Sequence, residues 1–147
     1  MVEFALILPI MLGLFGAVAD MARLYSAWIT VESATRDAAE YVATNDSTSA
    51  AASTDAQRVV CLQAANLPGF ASPPGNQAAC TRPVVTVTSF SVSTAASLGA
   101  TPNHPVATAT VETTLVFNTI FPYPFLTNEG GWTLSSTRTY SIVQGRR

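Results

Sequence analysis

VEFALILPIMLGLFGAVADMARLYSAWITVESATRDAAEYVAT (Val2–Thr44) is the stretch on which the fold turns. It reads as one long helix with two unlike halves. Phe4 to Val18 carries no charge and is apolar at nearly every position, the pattern of a helix buried in lipid or in a bundle. From Phe4 to Ala19 it extends about 24 Å at 1.5 Å per residue, short of a hydrocarbon core of about 30 Å. The continuing sequence carries the helix past that limit and sets Met21, Leu24, Tyr25 and Trp28 at the interface. Pro9 removes a backbone hydrogen bond and predicts loosening near Phe4 and Ala5. Gly13 and Gly16 admit a neighbouring helix at close range. Just ahead of the run stands Glu3. A carboxylate in a dry environment costs several kcal/mol unless something pairs with it. Glu3 therefore stays outside such an environment or meets a cation there.

The segment does not read as a secretory signal peptide. It has no basic n-region, and no small-x-small cleavage site closes it before the helix continues. A simple single-pass anchor is the plain alternative to a packed bundle. The second half is amphipathic: Asp20 and Arg23 at i, i+3, then Glu32, Arg36 and Glu40 at successive i, i+4 spacings, place charge pairs on one face. Ala27, Val31, Ala34, Ala38, Tyr41 and Val42 supply an opposite face for a core.

Beyond the helix, Thr44 to Asp55 (TNDSTSAAASTD) is a Ser/Thr/Ala linker, with Asp55 as N-cap of a short helix over AQRVVCLQAANLPG. A proline-rich loop leads to Cys80. From Val84 the period changes to two. VVTVTSFSVST, VATATVETTLVFN and WTLSSTRTYSIV each alternate as a strand with one buried face. That face holds Ala107, Ala109, Val111, Leu115 and Phe117 on one strand, and Trp132, Leu134, Tyr140 and Ile142 on another. Ile120 to Gly131 is too proline-rich for a central strand and reads as a loop. The expected fold is α+β: a long N-terminal helix with a small antiparallel sheet packed on its second half. It divides into the membrane or filament-core helix (1–44), a linker, short helix and disulfide loop (45–83), and the sheet of the head (84–147).

Composition narrows the function classes. Of 147 residues only 11% are charged, against roughly 25% in ordinary globular chains. A net charge of −2 and a pI near 5.2 leave no basic stripe for nucleic acid. Low charge with high Ser/Thr content suits a chain that packs against its own copies. Cys61 and Cys80, 19 positions apart, are too few for a zinc site. A disulfide is expected because the apolar segment implies insertion in a membrane with the rest of the chain outside; two separate thiols are the alternative.

No enzymatic constellation is present. His104, the single histidine, lies between Asn103 and Pro105 and reads as a turn residue, without partners for a triad or metal site. The acidic residues are scattered, and GxxxxGK[ST], GxGxxG, GxSxG and HExxH are absent. No catalytic residue, cofactor or metal is expected. Asn45-Asp46-Ser47 matches the N-x-[ST] glycosylation pattern, with a polar linker as the bland reading.

The opening residues, VEFAL-x-LP followed by a leucine-rich run with glycine, an acidic residue, an arginine and a Tyr/Ala-rich helix, resemble the TadE/TadG-like family. Its members are pilin-like proteins of tight-adherence (Tad) type IV pilus systems. The resemblance is specific over about the first 45 residues; AANLPG and FPYPF later in the chain are loosely similar. It implies a structural pilin-like subunit of an extracellular filament serving surface adhesion, and not an enzyme. It implies a single-pass precursor in the bacterial inner membrane, surrounded by lipid, which a prepilin peptidase cleaves and an assembly platform hands to the filament. Glu3 is the position matching the family's glutamate, which pairs with the α-amino group of a neighbouring copy; here Met1 would supply that amine. Met1 makes the glutamate third, whereas pilins generally place it fifth, and no leader precedes it, so the cleavage register stays open. A minor pseudopilin that primes or caps another filament, or a monomeric membrane-anchored binding protein, are the alternatives.

Overall fold

The computed structural model describes residues 2–45, 49–73, 76, 79–93, 106–120 and 131–143. Helix α1 (Val2–Asn45) passes through Pro9 without interruption and, at 1.5 Å per residue, is about 66 Å long. Helix α2 (Ser49–Ala64) follows, then strands β1 (Val84–Ser93), β2 (Val106–Phe117) and β3 (Trp132–Val143). The sheet is antiparallel in the order β1-β2-β3. Its inner face packs on the helices, with β2 and β3 against α1 and β1 against α2. This is the expected α+β, pilin-like arrangement.

The strands fall where the period-two alternation put them. Central strand β2 buries every inward residue, including Ala107, Ala109, Val111, Leu115 and Phe117. Edge strand β3 buries less: Leu134 is covered, Tyr140 and Ile142 are half-covered, and Trp132 is exposed. An edge strand has a neighbour on one side only, so its inward side chains keep an open flank.

Two expectations about the helices need correction. Helix α2 begins at Ser49, so Asp55 lies inside it and is not its N-cap. The run of alanines has high helix propensity, and Ala52 and Ala56 are fully buried in the cluster with α1, so packing pulls the helix start back through the supposed linker. Tyr41 is exposed, while Ala39 and Ala43 join Ala34, Ala38 and Val42 in the core. The buried stripe of α1 widens toward α2 because that helix lies beside it.

The core has two parts. One joins α1 from Ala34 to Ala43 with α2, Ala109 and Val111. The other joins Ala27 and Val31 with Leu115, Phe117 and Leu134. Thr35, Thr113 and Ser136 are buried where the two parts meet along α1, β2 and β3; Thr35 donates to the Val31 carbonyl at 2.6 Å, and Thr113 and Ser136 are opposite in the register. β2 thus runs antiparallel to α1, bringing the Phe117 end of the sheet to the middle of α1.

A disulfide joins Cys61 of α2 to Cys80, with the Cα atoms 5.5 Å apart. Gln57 completes this corner. Its amide nitrogen donates to the carbonyls of Cys80 (3.0 Å) and Pro83 (3.2 Å), and its Oε1 accepts the Val85 N–H at 3.2 Å. One side chain therefore fixes the start of β1 to α2.

Candidate functional site

Among the described residues the sheet and α2 bury chiefly the second half of α1; before it, contact with the head is confined to the stretch around Gly16 and Ala17 and the neck that follows. Phe4, Ile7, Leu8, Ile10, Met11, Leu12, Leu14, Phe15 and Val18 are all exposed, Phe4 at 71% and Phe15 at 63%. They are spread over more than one face of the helix, and no charged residue lies among them from Phe4 to Val18. A cβ added at Gly13 would touch nothing within 4 Å. Large contiguous apolar surfaces of this kind mark membrane or protein interaction sites. α1 is long and apolar enough to cross a membrane. The outward face stays apolar through Met21, Tyr25, Trp28 and Ile29 before Glu32 begins a charged stretch.

At the neck, where stalk meets head, Asp20 is 3% exposed. Its Oδ1 accepts from Arg23 Nη1 at 3.3 Å and from the Ile120 N–H at 3.2 Å. The Arg23 guanidinium in turn lies 5.6 Å from the centre of the Phe117 ring, within range of a cation–π contact. The end of β2 is thereby tied to the point where α1 leaves the head. Gly131, at φ +75°, packs so closely under this turn that a Cβ would approach the Phe117 carbonyl oxygen to 2.7 Å.

Five further charges lie along an open trough between α1 and β3. Glu32, Arg36, Asp37, Glu40 and Arg138 line about 680 Å³ of it. Glu32 pairs with Arg138 across to β3, not with Arg36 as the i, i+4 spacing suggests. Asp37 accepts from Gln63 at 2.7 Å. Among the described residues no group of His, Cys, Asp and Glu is placed to hold a metal.

Of the residues singled out from sequence, Pro9 sits within the exposed stalk, and Cys61 and Cys80 are bonded to each other. Glu3 belongs to the first turn of α1; its side chain, and Met1 and His104, lie outside the described residues. Asn45 is the last residue of α1, and its amide donates to the Tyr41 carbonyl at 3.1 Å; Asp46 and Ser47 of its sequon lie outside the described residues. Two residues escaped the sequence reading. Asp20 showed its i, i+3 arginine but not its bond to Ile120, and Gln57 carried no signal at all.

Residues 1–40 match the model of the family described as TadE-like protein. The match covers the whole exposed stalk, the neck aspartate and arginine, and the start of the head-bound half. No curated protein and no solved structure matched the chain.

Proposed function

We propose, from the premise that residues 1–40 are TadE-like, that the chain is a structural, pilin-like subunit of a Tad-type type IV pilus. It assembles through the bare half of α1, carries its α+β head outward and serves surface adhesion; it is not an enzyme. The observation that carries this reading is the division of α1 itself. From Ala27 onward its inner stripe is buried in the head, while Phe4, Ile7, Leu8, Ile10, Met11, Leu12, Leu14, Phe15 and Val18 of the first half are exposed among the described residues. Burying one such side chain contributes about 1.5–3 kcal/mol, so many together favour association strongly. Before assembly the partner is inner-membrane lipid, with a prepilin peptidase and an assembly platform acting on the precursor; afterwards it is other copies at the cell surface.

In this reading Glu3 enters the filament core paired with a neighbour's α-amino group, Met1 supplying it if the mature chain starts there. Burying either charge alone would cost several kcal/mol. Glu3→Ala tests the pair. The variant is expected in the membrane fraction at normal level with surface filaments reduced at least tenfold. Unchanged filaments, or none with the unaltered chain either, would contradict the reading.

A further inference from the structure

The neck bears an apolar cavity and an apolar rim at one level of α1. Ala17, Met21, Leu24, Phe117, Thr119 and Trp132 wall about 130 Å³, and the surface they present is apolar throughout. Trp132 is thereby held beside residues 17–24 of α1, and the Ile120 N–H bonds Asp20 at 3.2 Å. Among the described residues both side chains are exposed, Ile120 at 59% and Trp132 at 40%. Met21, Tyr25 and Trp28 of α1 are exposed at the same level.

We propose that this rim, Ile120 and Trp132 of the head with Met21, Tyr25 and Trp28 of α1, seats in the headgroup boundary of a phospholipid bilayer. The inference rests on the membrane-held precursor of the reading above. Length carries it. A hydrocarbon core of about 30 Å takes about 20 residues of helix, whereas the uncharged run that begins at Phe4 stops at Ala19. A core that begins at Phe4 therefore ends near Arg23, beyond the level at which Ile120 and Trp132 are held. Tilting the helix moves that edge further toward the head. The surface there suits it. Asp20, the first charge after Glu3, is 3% exposed, and its carboxylate accepts from Arg23 and the Ile120 amide, so it turns no bare charge toward lipid. Arg23 is itself drawn over the Phe117 ring. Tyr and Trp join an apolar body to a polar tip and collect at such boundaries. Asn118 and Thr119, exposed beside the rim, suit headgroups and not hydrocarbon, so the head rests at the boundary and goes no deeper. It sits directly on the membrane, with no solvated neck between them.

Tryptophan quenching in the full chain tests the seating. The chain holds two tryptophans, so Trp28→Phe leaves Trp132 as the reporter. In vesicles of phosphatidylcholine brominated on its acyl chains, Trp132 is expected to lose most of its emission when the bromines lie near the headgroups, and less when they lie near the chain ends. Iodide added to the water should quench it weakly. The unaltered chain should behave alike, since Trp28 belongs to the same rim, and it serves if the variant folds poorly. Strong quenching by iodide with none by bromine would stand the head off in water and overturn the inference. Shielding from both would mean that protein covers the rim, and overturns it too. Phe15→Trp in a Trp28→Phe/Trp132→Phe background keeps the two readings apart. Its quenching by bromines near the chain ends shows an inserted stalk whatever Trp132 does. No quenching of it by either lipid would defeat the membrane reading itself.

Discussion

Asp20 is the residue on which the geometry of the neck depends. Its carboxylate serves the Ile120 N–H and the Arg23 guanidinium together. Asp20→Ala removes the oxygen that accepts both bonds and leaves a backbone donor without its partner, a loss of about 2 kcal/mol. Asp20→Asn keeps an acceptor for Ile120 and is expected to lose about half as much. Denaturant unfolding of the detergent-held chain measures both; equal losses would show that the backbone bond contributes nothing. Thr113 gives a prediction of opposite sign. Its Oγ1 is buried and, among the described residues, unpartnered. Thr113→Val keeps the shape and removes an unsatisfied hydroxyl, so the unfolding midpoint should rise, by about 1 kcal/mol of stability. A fall would mean the hydroxyl has a partner after all. Residue-scale facts were half legible. The Asp20–Arg23 spacing was plain in the sequence, but a bond spanning 100 positions to Ile120 leaves no local trace.

At the scale of elements, the sheet was legible because its pattern is strict. β2 alternates buried and partly buried residues along nearly its whole length, and the small inward alanines let α1 lie close. The start of α2 was not legible, since SAAASTD has the polarity of a linker and the propensity of a helix. Burial of Ala52 and Ala56 against α1 settles it, and that contact is tertiary. The Cys61–Cys80 link closes α2 onto the beginning of β1, where Gln57 adds its three backbone hydrogen bonds. Removing it with Cys61→Ser/Cys80→Ser should lower stability by about 3 kcal/mol in the chain-entropy account. The midpoint of denaturant unfolding, with and without reductant, checks this: reductant should shift the parent and leave the double variant unmoved.

For the whole molecule, the head and stalk are separable in energy although one helix runs through both. Among the described residues the buried members of both core clusters begin at Ala27; before it, α1 meets the head at the neck, through residues that include Ala17, Asp20, Met21, Arg23 and Leu24. Deleting residues 1–16 should therefore leave a head that is folded and monomeric in water without detergent, as judged by circular dichroism and light scattering. Aggregation of that fragment would show that apolar surface outside the stalk also needs cover. The two-part helix was legible from its uncharged opening, and the neck cavity was not, because it is walled by residues from three distant parts of the chain. The proposed role rests on the exposed apolar residues of the stalk. The most direct test is to shear filaments from cells that make this chain, image them, and identify their main component by peptide mass spectrometry. The account predicts that the filament body consists of this chain and that the filaments vanish when it is removed. Filaments built of another protein, with this chain present only in traces or confined to the membrane, would contradict it.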